Sequence, residues 1–98
     1  MKWAFIYTLD DPSAEPRIDV IGTLVCAGVS SVADAPAVAR QLVAEGVELI
    51  ELCGGFGGAG LGLIASAVEN RVPVGAVFFG VDAIAGLNRI LPDPKGAG

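Results

Sequence analysis

The sequence contains no histidine, and this removes the side chain that most often serves as a general base or metal ligand. Its only two cysteines are Cys26 and Cys53, and two thiols alone make a poor zinc site. We therefore expect no bound metal. The first dozen residues lack the length and the small-residue cleavage site of a signal peptide. The sequence thus favours a cytoplasmic protein whose two cysteines are free thiols.

Charged residues are also scarce. They make up 17% of the chain, whereas a typical soluble domain has about 25%. The net charge is −5 and the basic residues occur singly, so no basic patch predicts binding to nucleic acid or to an anionic membrane. Charges and prolines interrupt every apolar run before it reaches the ~18 residues that a membrane helix needs. We expect neither nucleic acid nor membrane as a partner.

Apolar residues, in contrast, are abundant, at 53% of only 98 residues. A chain of this length has room for one domain, and a small domain buries only a modest part of its surface. The remaining apolar residues must then either cover another copy of the chain or stay exposed. This surplus predicts a homo-oligomer.

Apolar segments alternate with helix-like segments along most of the chain. The pattern predicts strands at 2–9, 22–29, 47–53 and 73–79 and helices at 31–46, 58–70 and after Asp82. Residues 10–21, with two prolines, are expected to form a connection with at most one helical turn. The strand at 22–29 is almost entirely apolar, as expected where both faces of a sheet are covered, and this assigns Cys26 to the core.

This order of elements predicts a single small α/β domain over residues 1–91. We expect four mostly parallel strands flanked by about three helices, arranged as a half-barrel or a truncated doubly wound sheet. Residues 92–98 are expected to form a flexible tail.

In such sheets, ligands bind at the carboxyl ends of the strands. The candidate ligand-binding residues at that edge are Tyr7, Asp10, Ser30 and Asp82. Tyr7 ends the first predicted strand, and its alternative role is packing.

A glycine-rich loop follows the third predicted strand, and it supplies the candidate ligand-binding residues Gly54, Gly55, Phe56, Gly57 and Gly58. Glycines let backbone amides approach a ligand, and the following helix directs its positive end toward the loop. This arrangement favours an anionic ligand such as a phosphate or a carboxylate. The alternative is that the glycines serve a tight turn and close packing. Residues 55–60 match G-x-G-x-x-G, but the chain is too short for both halves of a dinucleotide-binding domain, so we expect no cofactor.

Glu51 and Cys53 are the candidate catalytic residues. Strand alternation places both on one face, about 7 Å apart. A carboxylate in an apolar strand is a candidate general base, and a thiol near a helix start is a candidate nucleophile. The alternatives for Glu51 are an ion pair with Arg17, Arg71 or Arg89, or an exposed position at the end of the strand. The alternative for Cys53 is a small buried apolar residue.

The segment ELCGGFG at 51–57, preceded by LVAEGV at 42–47 and followed by PVG at 73–75, resembles a family of short bacterial α/β proteins of unknown function. The resemblance covers nearly the whole chain and implies a compact α/β fold, but it implies no activity. The residues favour a small-molecule-binding protein with an anion-holding loop. If it is an enzyme, cofactor-free proton transfer of the lyase or isomerase type fits best. The alternative is a non-catalytic oligomeric binding or structural protein.

Overall fold

The structure is a computed structural model, and it describes residues 1–91. This part of the chain forms five strands and three helices. The predicted tail at 92–98 lies outside the described residues. The strands are β1 (Trp3–Thr8), β2 (Arg17–Ile21), β3 (Leu24–Val29), β4 (Ile50–Leu52) and β5 (Val74–Ala76). The helices are α1 (Ala35–Ala44), α2 (Gly57–Ala67) and α3 (Ile84–Ile90), each preceded by a 3₁₀ turn, at Val32–Asp34, Gly54–Phe56 and Val81–Ala83.

The strands form one sheet in the order β2-β3-β1-β4-β5. All neighbours are parallel except β2 and β3, so the predicted α/β class with a mostly parallel sheet and three helices is confirmed. The prediction of four strands was wrong, because residues 10–21 were expected to be irregular. Pro12 and Pro16 both precede β2, and the two-residue turn at Gly22 and Thr23 lets β2 fold back onto β3 as an antiparallel edge strand.

The hydrophobic core lies between α1, α2 and one face of the sheet. The strands contribute alternate residues, which is why they share a face: Ala4, Ile6, Val25, Ala27, Val29, Ile50 and Leu52. The helices contribute their predicted stripes, of which Ala39, Leu42, Ile64 and Val68 are buried. Two helices therefore cover the central strands from one side.

The other face of the sheet carries no helix within residues 1–91, and we call it the open face. It is formed by the apolar residues Trp3, Phe5, Tyr7, Leu24 and Cys26 and the charged residues Arg17, Asp19 and Glu51. The expectation that both faces are covered was therefore wrong for the described part of the chain. The assignment of Cys26 to the core was also wrong, because its half-buried side chain lies on the open face.

The C-terminal part of the described chain is apolar but poorly packed. Phe78 is 87% exposed and Val81 is 85% exposed, and α3 has no buried residue. None of the helices in residues 1–91 has the length and apolarity needed to cross a membrane.

Candidate functional site

A cleft of about 370 Å³ opens at the carboxyl edge of the sheet, between the glycine loop, the end of β5 and α3. Its floor includes Gly54, Gly57 and Gly58, three of the predicted ligand-binding residues. Its other lining residues are Leu61, Ala76, Val77, Phe78, Phe79 and Leu87. The volume falls within the range of about 300–1,000 Å³ that is typical of small-molecule sites. The cleft thus has a backbone floor and apolar walls.

The side chains that line the cleft are all apolar, so its polar groups are backbone amides and carbonyls. Helix α2 begins at Gly57, and no side chain caps its N-terminus. In residues 1–91, the amides of Gly54 and Gly57 donate no hydrogen bond to a turn, a loop or a side chain. The first amides of a helix have no partner within the helix, and the helix dipole makes this end positive. The glycine loop therefore has unpaired amide donors among the residues that line the cleft.

Phe56 lies in the same loop, but its side chain turns into the core and is only 5% exposed. Gly60, one turn along α2, makes this possible. A Cβ at Gly60 would lie 2.9 Å from the Cβ of Phe56, closer than carbon atoms pack. The Phe56 side chain is thus outside the cleft, and at least one glycine of the G-x-G-x-x-G match serves packing.

Glu51 does not line the cleft. It lines a second, smaller hollow of about 220 Å³ on the open face, together with Gly75, Ala76 and Val77. Ala76 and Val77 also line the cleft, so the two hollows are neighbours at the end of β5. Glu51 and the glycine loop therefore line different hollows.

Glu51 is exposed and has no ion pair within residues 1–91. Two of its three candidate partners are paired elsewhere: Arg17 with Asp19 at 2.8 Å, and Arg71 with Glu69 at 2.9 Å. The hydrogen bond and charge of Asp19, and to a lesser degree Tyr7, raise the pKa of Arg17. The structure thus leaves the carboxylate of Glu51 free in solvent.

Cys53 has different surroundings from Glu51. Its amide donates to the carbonyl of Ile6 at 3.0 Å, and its half-buried side chain packs against the margin of the core. A Cβ built at Gly55 would lie 3.5 Å from Cys53 Sγ and 3.2 Å from Thr8 Oγ1. Cys53 is therefore beside the glycine loop, but it lines neither hollow, and these contacts fit its alternative role as a small apolar residue.

The four remaining candidates are spread over the carboxyl edge, and none lines the cleft. The ring of Tyr7 lies across Gly28, where a Cβ would be 2.8 Å from its Cζ. Ser30 donates its hydroxyl to Asp34 at 3.0 Å, and Asp10 is exposed after β1. Asp82 lies in the 3₁₀ turn before α3, and its side chain lies against Gly80. A Cβ at Gly80 would be 2.8 Å from Asp82 Oδ1.

The sequence analysis missed the apolar wall of the cleft. Phe78 and Phe79 follow β5, and the ring of Phe79 reaches to 3.3 Å from where a Cβ at Gly54 would be. The available signal was an aromatic pair next to Gly80, beyond the end of a strand. Within residues 1–91, no three Cys, Asp or Glu side chains lie close enough together to hold a metal ion.

Comparison with known proteins gives a family but no activity. Neither the curated proteins nor the solved structures include a match to this chain. One protein-family model matches residues 1–91, and this range contains every strand and helix described above. The chain therefore belongs to the family of unknown function DUF6506.

Proposed function

We propose that the protein binds a small amphipathic anion in the cleft at the carboxyl edge, with the acidic group of the ligand on the glycine loop. The observation that carries this proposal is that amides without a hydrogen-bond partner, at the start of α2, lie beside the apolar walls of the cleft. The amides favour a carboxylate or phosphate, and the walls favour an aliphatic or aromatic body.

The size and polarity of the cleft define the ligand class further. Its side-chain walls include Leu61, Phe79 and Leu87 and carry no charge, so a cation has no counter-ion there. A volume of about 370 Å³ suits a short-chain or aromatic carboxylate better than a nucleotide. Inorganic phosphate would occupy the floor but leave the apolar walls exposed.

The experiment is an NMR titration of the full chain with octanoate and, separately, with inorganic phosphate. We expect octanoate to shift the amides of Gly54, Gly57 and Gly58 together with the methyl groups of Leu61 and Leu87. Phosphate is expected to shift the amides alone and to bind more weakly. Spectra unchanged by millimolar octanoate would contradict the proposal.

A matched pair of variants separates binding from folding. Gly58→Asp places a carboxylate at the floor of the cleft, and Gly62→Asp places one a turn further along α2; a Cβ at either position meets no atom within 4 Å. We expect Gly58→Asp to weaken octanoate binding by about tenfold or more through charge repulsion. Gly62→Asp should bind as the unaltered chain does.

A second candidate function is cofactor-free proton transfer by Glu51, without Cys53, which lines neither hollow. The observation that favours it is that Glu51 is exposed in the hollow and has no cationic partner in residues 1–91, so its carboxylate can contact a ligand there. A lyase or isomerase reaction would take place in the hollow on the open face, and the anion on the glycine loop would then be a separate ligand.

The non-catalytic alternative is self-association. It is favoured by the apolar residues of the open face and by the exposed side chains of Phe78, Val81 and Ile90. Exposed apolar groups in such number typically mark interfaces. We propose that the protein is a homo-oligomer in solution, and sedimentation equilibrium that returns the 9.9 kDa chain mass would contradict this.

A further inference from the structure

We propose that the ligand of the cleft orders helix α3, so that the C-terminal segment, which we define as residues 78–91, docks onto the rest of the chain when the ligand binds. The inference rests on the proposed binding of an amphipathic anion and adds a conformational response to it. The apolar body of the ligand supplies a packing surface that residues 1–77 do not give to α3.

The C-terminal segment has few attachments to the rest of the described chain. The amide of Val77, just before the segment, donates to the carbonyl of Leu52 at 2.9 Å. Beyond this bond, no hydrogen bond or ion pair within residues 1–91 joins the segment to the remainder. Side-chain packing alone therefore holds the segment against the cleft.

Helix α3 and the turn before it present one face to the cleft, and that face is only partly covered. The half-buried positions are Ala83, Gly86 and Leu87, and their i, i+3, i+4 spacing places them on one side of a helix. Leu87 alone has a large side chain, and it lines the cleft. Ile84 and Ile90, the other large apolar residues of α3, are exposed. The packing of α3 thus depends on Leu87 and on what lies beside Leu87 in the cleft.

Phe79 is a second residue through which the segment borders the cleft. Its ring lies against the glycine loop, because a Cβ at Gly54 would be 3.3 Å from Phe79 Cε2. Phe79 is exposed and Leu87 is half-buried, so both have apolar surface to lose. Leu61 of α2 lines the same cleft. An apolar ligand among these three side chains buries surface of α2 and of the C-terminal segment at once, and this burial favours the docked helix.

The short length of α3 makes this response expected. The helix has seven residues and buries none of them, and such a helix is unstable without packing. A ligand that binds better when α3 is folded shifts the equilibrium toward the folded helix. Its observed affinity is then reduced by the fraction of chains in which α3 is folded before binding. The stability of α3 therefore sets the affinity of the cleft.

The first test measures amide hydrogen exchange of the full chain by NMR, with saturating octanoate and with saturating inorganic phosphate. We expect octanoate to slow the exchange of the α3 amides by about tenfold or more. Phosphate has no apolar body, so it should shift the amides of the glycine loop and leave the exchange of α3 unchanged. Equal slowing by both ligands would show that the apolar body does not order the helix.

The second test changes the stability of α3 without changing the cleft. Asn88 is exposed and does not line the cleft, and alanine is a better helix former than asparagine, whereas glycine is a poorer one. We expect Asn88→Ala to bind octanoate more tightly than Asn88→Gly, by up to about fivefold, with the unaltered chain between them. Arg40→Ala and Arg40→Gly make the same comparison at an exposed position of α1, and these two should bind octanoate equally.

The outcomes distinguish this inference from the proposed function. Octanoate that shifts the amides of Gly54 and Gly58 but leaves the exchange of α3 unchanged would overturn the ordering of α3 and leave the anion site in place. Equal octanoate affinity in both Asn88 variants would overturn it as well, because α3 would then be folded before the ligand binds. Octanoate that shifts no amide of the glycine loop would contradict the proposed function and, with it, this inference.

Discussion

Two glycines of α2, Gly60 and Gly62, have opposite surroundings and give a matched pair of variants. A Cβ at Gly60 would lie 2.9 Å from the Cβ of Phe56, and a Cβ at Gly62 would meet no atom within 4 Å. We expect Gly62→Ala to stabilise the fold by about 0.5–1 kcal/mol through helix propensity. Gly60→Ala should destabilise it by about 1 kcal/mol, because overpacking exceeds the gain in propensity.

Urea unfolding measures both free energies. The Gly62→Ala variant serves as the control, because it carries the same substitution in the same helix. Stabilisation by Gly60→Ala would show that the Phe56 ring moves freely and that this glycine is not required for packing.

Glu51→Gln distinguishes a structural carboxylate from a functional one. Loss of one half of a buried ion pair would cost ~3–5 kcal/mol. Glu51 is exposed and unpaired within residues 1–91, so we expect the free energy of unfolding to change by no more than about 1 kcal/mol. A loss of several kcal/mol in urea unfolding would assign Glu51 to the fold, and would exclude it as a free base.

At the scale of single elements, the turn between β1 and β2 predicts a pH dependence. The backbone amide of Ser13 donates to the Asp11 carboxylate at 2.9 Å, and its hydroxyl donates at 2.8 Å. These bonds, the backbone one first, lower the pKa of Asp11 below its ordinary value of 3.8. The turn is therefore favoured above that value, and the contribution is lost as the pH falls through the lower pKa of the folded chain.

The measurement is a carboxyl-carbon NMR titration of Asp11. Ser13→Ala removes the hydroxyl donor and keeps the backbone donor, so the pKa of Asp11 should rise but remain below its ordinary value. An unchanged pKa in this variant would mean that the hydroxyl bond does not form in solution.

Helix α3 is expected to be the least stable helix of the described chain. It has seven residues and buries none of them, and a helix of that length is unstable without packing. We expect its amides to exchange with deuterium far faster than those of Ile64 and Val68, which are in and next to α2 and are fully buried. Exchange as slow as that of α2 would show that another surface covers α3 in solution.

The elements that the sequence predicted correctly have a strong local pattern. Residues 31–46 contain a clear apolar stripe, and α1 lies within them with Ala39 and Leu42 buried. Strand β2 was missed because its pairing depends on β3 and on the turn at Gly22, and not on burial. Ile18 and Val20 alternate with polar residues, yet both are exposed at the edge of the sheet.

At the scale of the whole molecule, the sequence predicted the fold class, but not which faces of the sheet are covered. The apolar residues of 22–29 predicted cover on both faces, and within residues 1–91 the helices cover only one. A sequence does not distinguish a face covered by its own helices from one available to a second chain, since both require apolar residues.

The candidate site shows the same dependence on the fold. Glu51 and the glycine loop are adjacent in sequence and lie at the same edge, so the sequence indicated one site. In the structure they line two different hollows, which share Ala76 and Val77 at the end of β5. This separation depends on where β5 joins the sheet, which no local pattern indicates.

The strand shared by the two hollows has a thermodynamic consequence. Ala76 and Val77 border the cleft on one side and the hollow of the open face on the other, so a ligand that shifts this strand changes both surfaces. If an anion bound in the cleft shifts this strand, and the proposed self-association uses the open face, the two equilibria are linked. Linkage is reciprocal: the factor by which octanoate changes the dissociation constant of self-association must equal the factor by which self-association changes the affinity for octanoate. Sedimentation equilibrium with and without octanoate, compared with titrations above and below the dissociation constant, measures both factors.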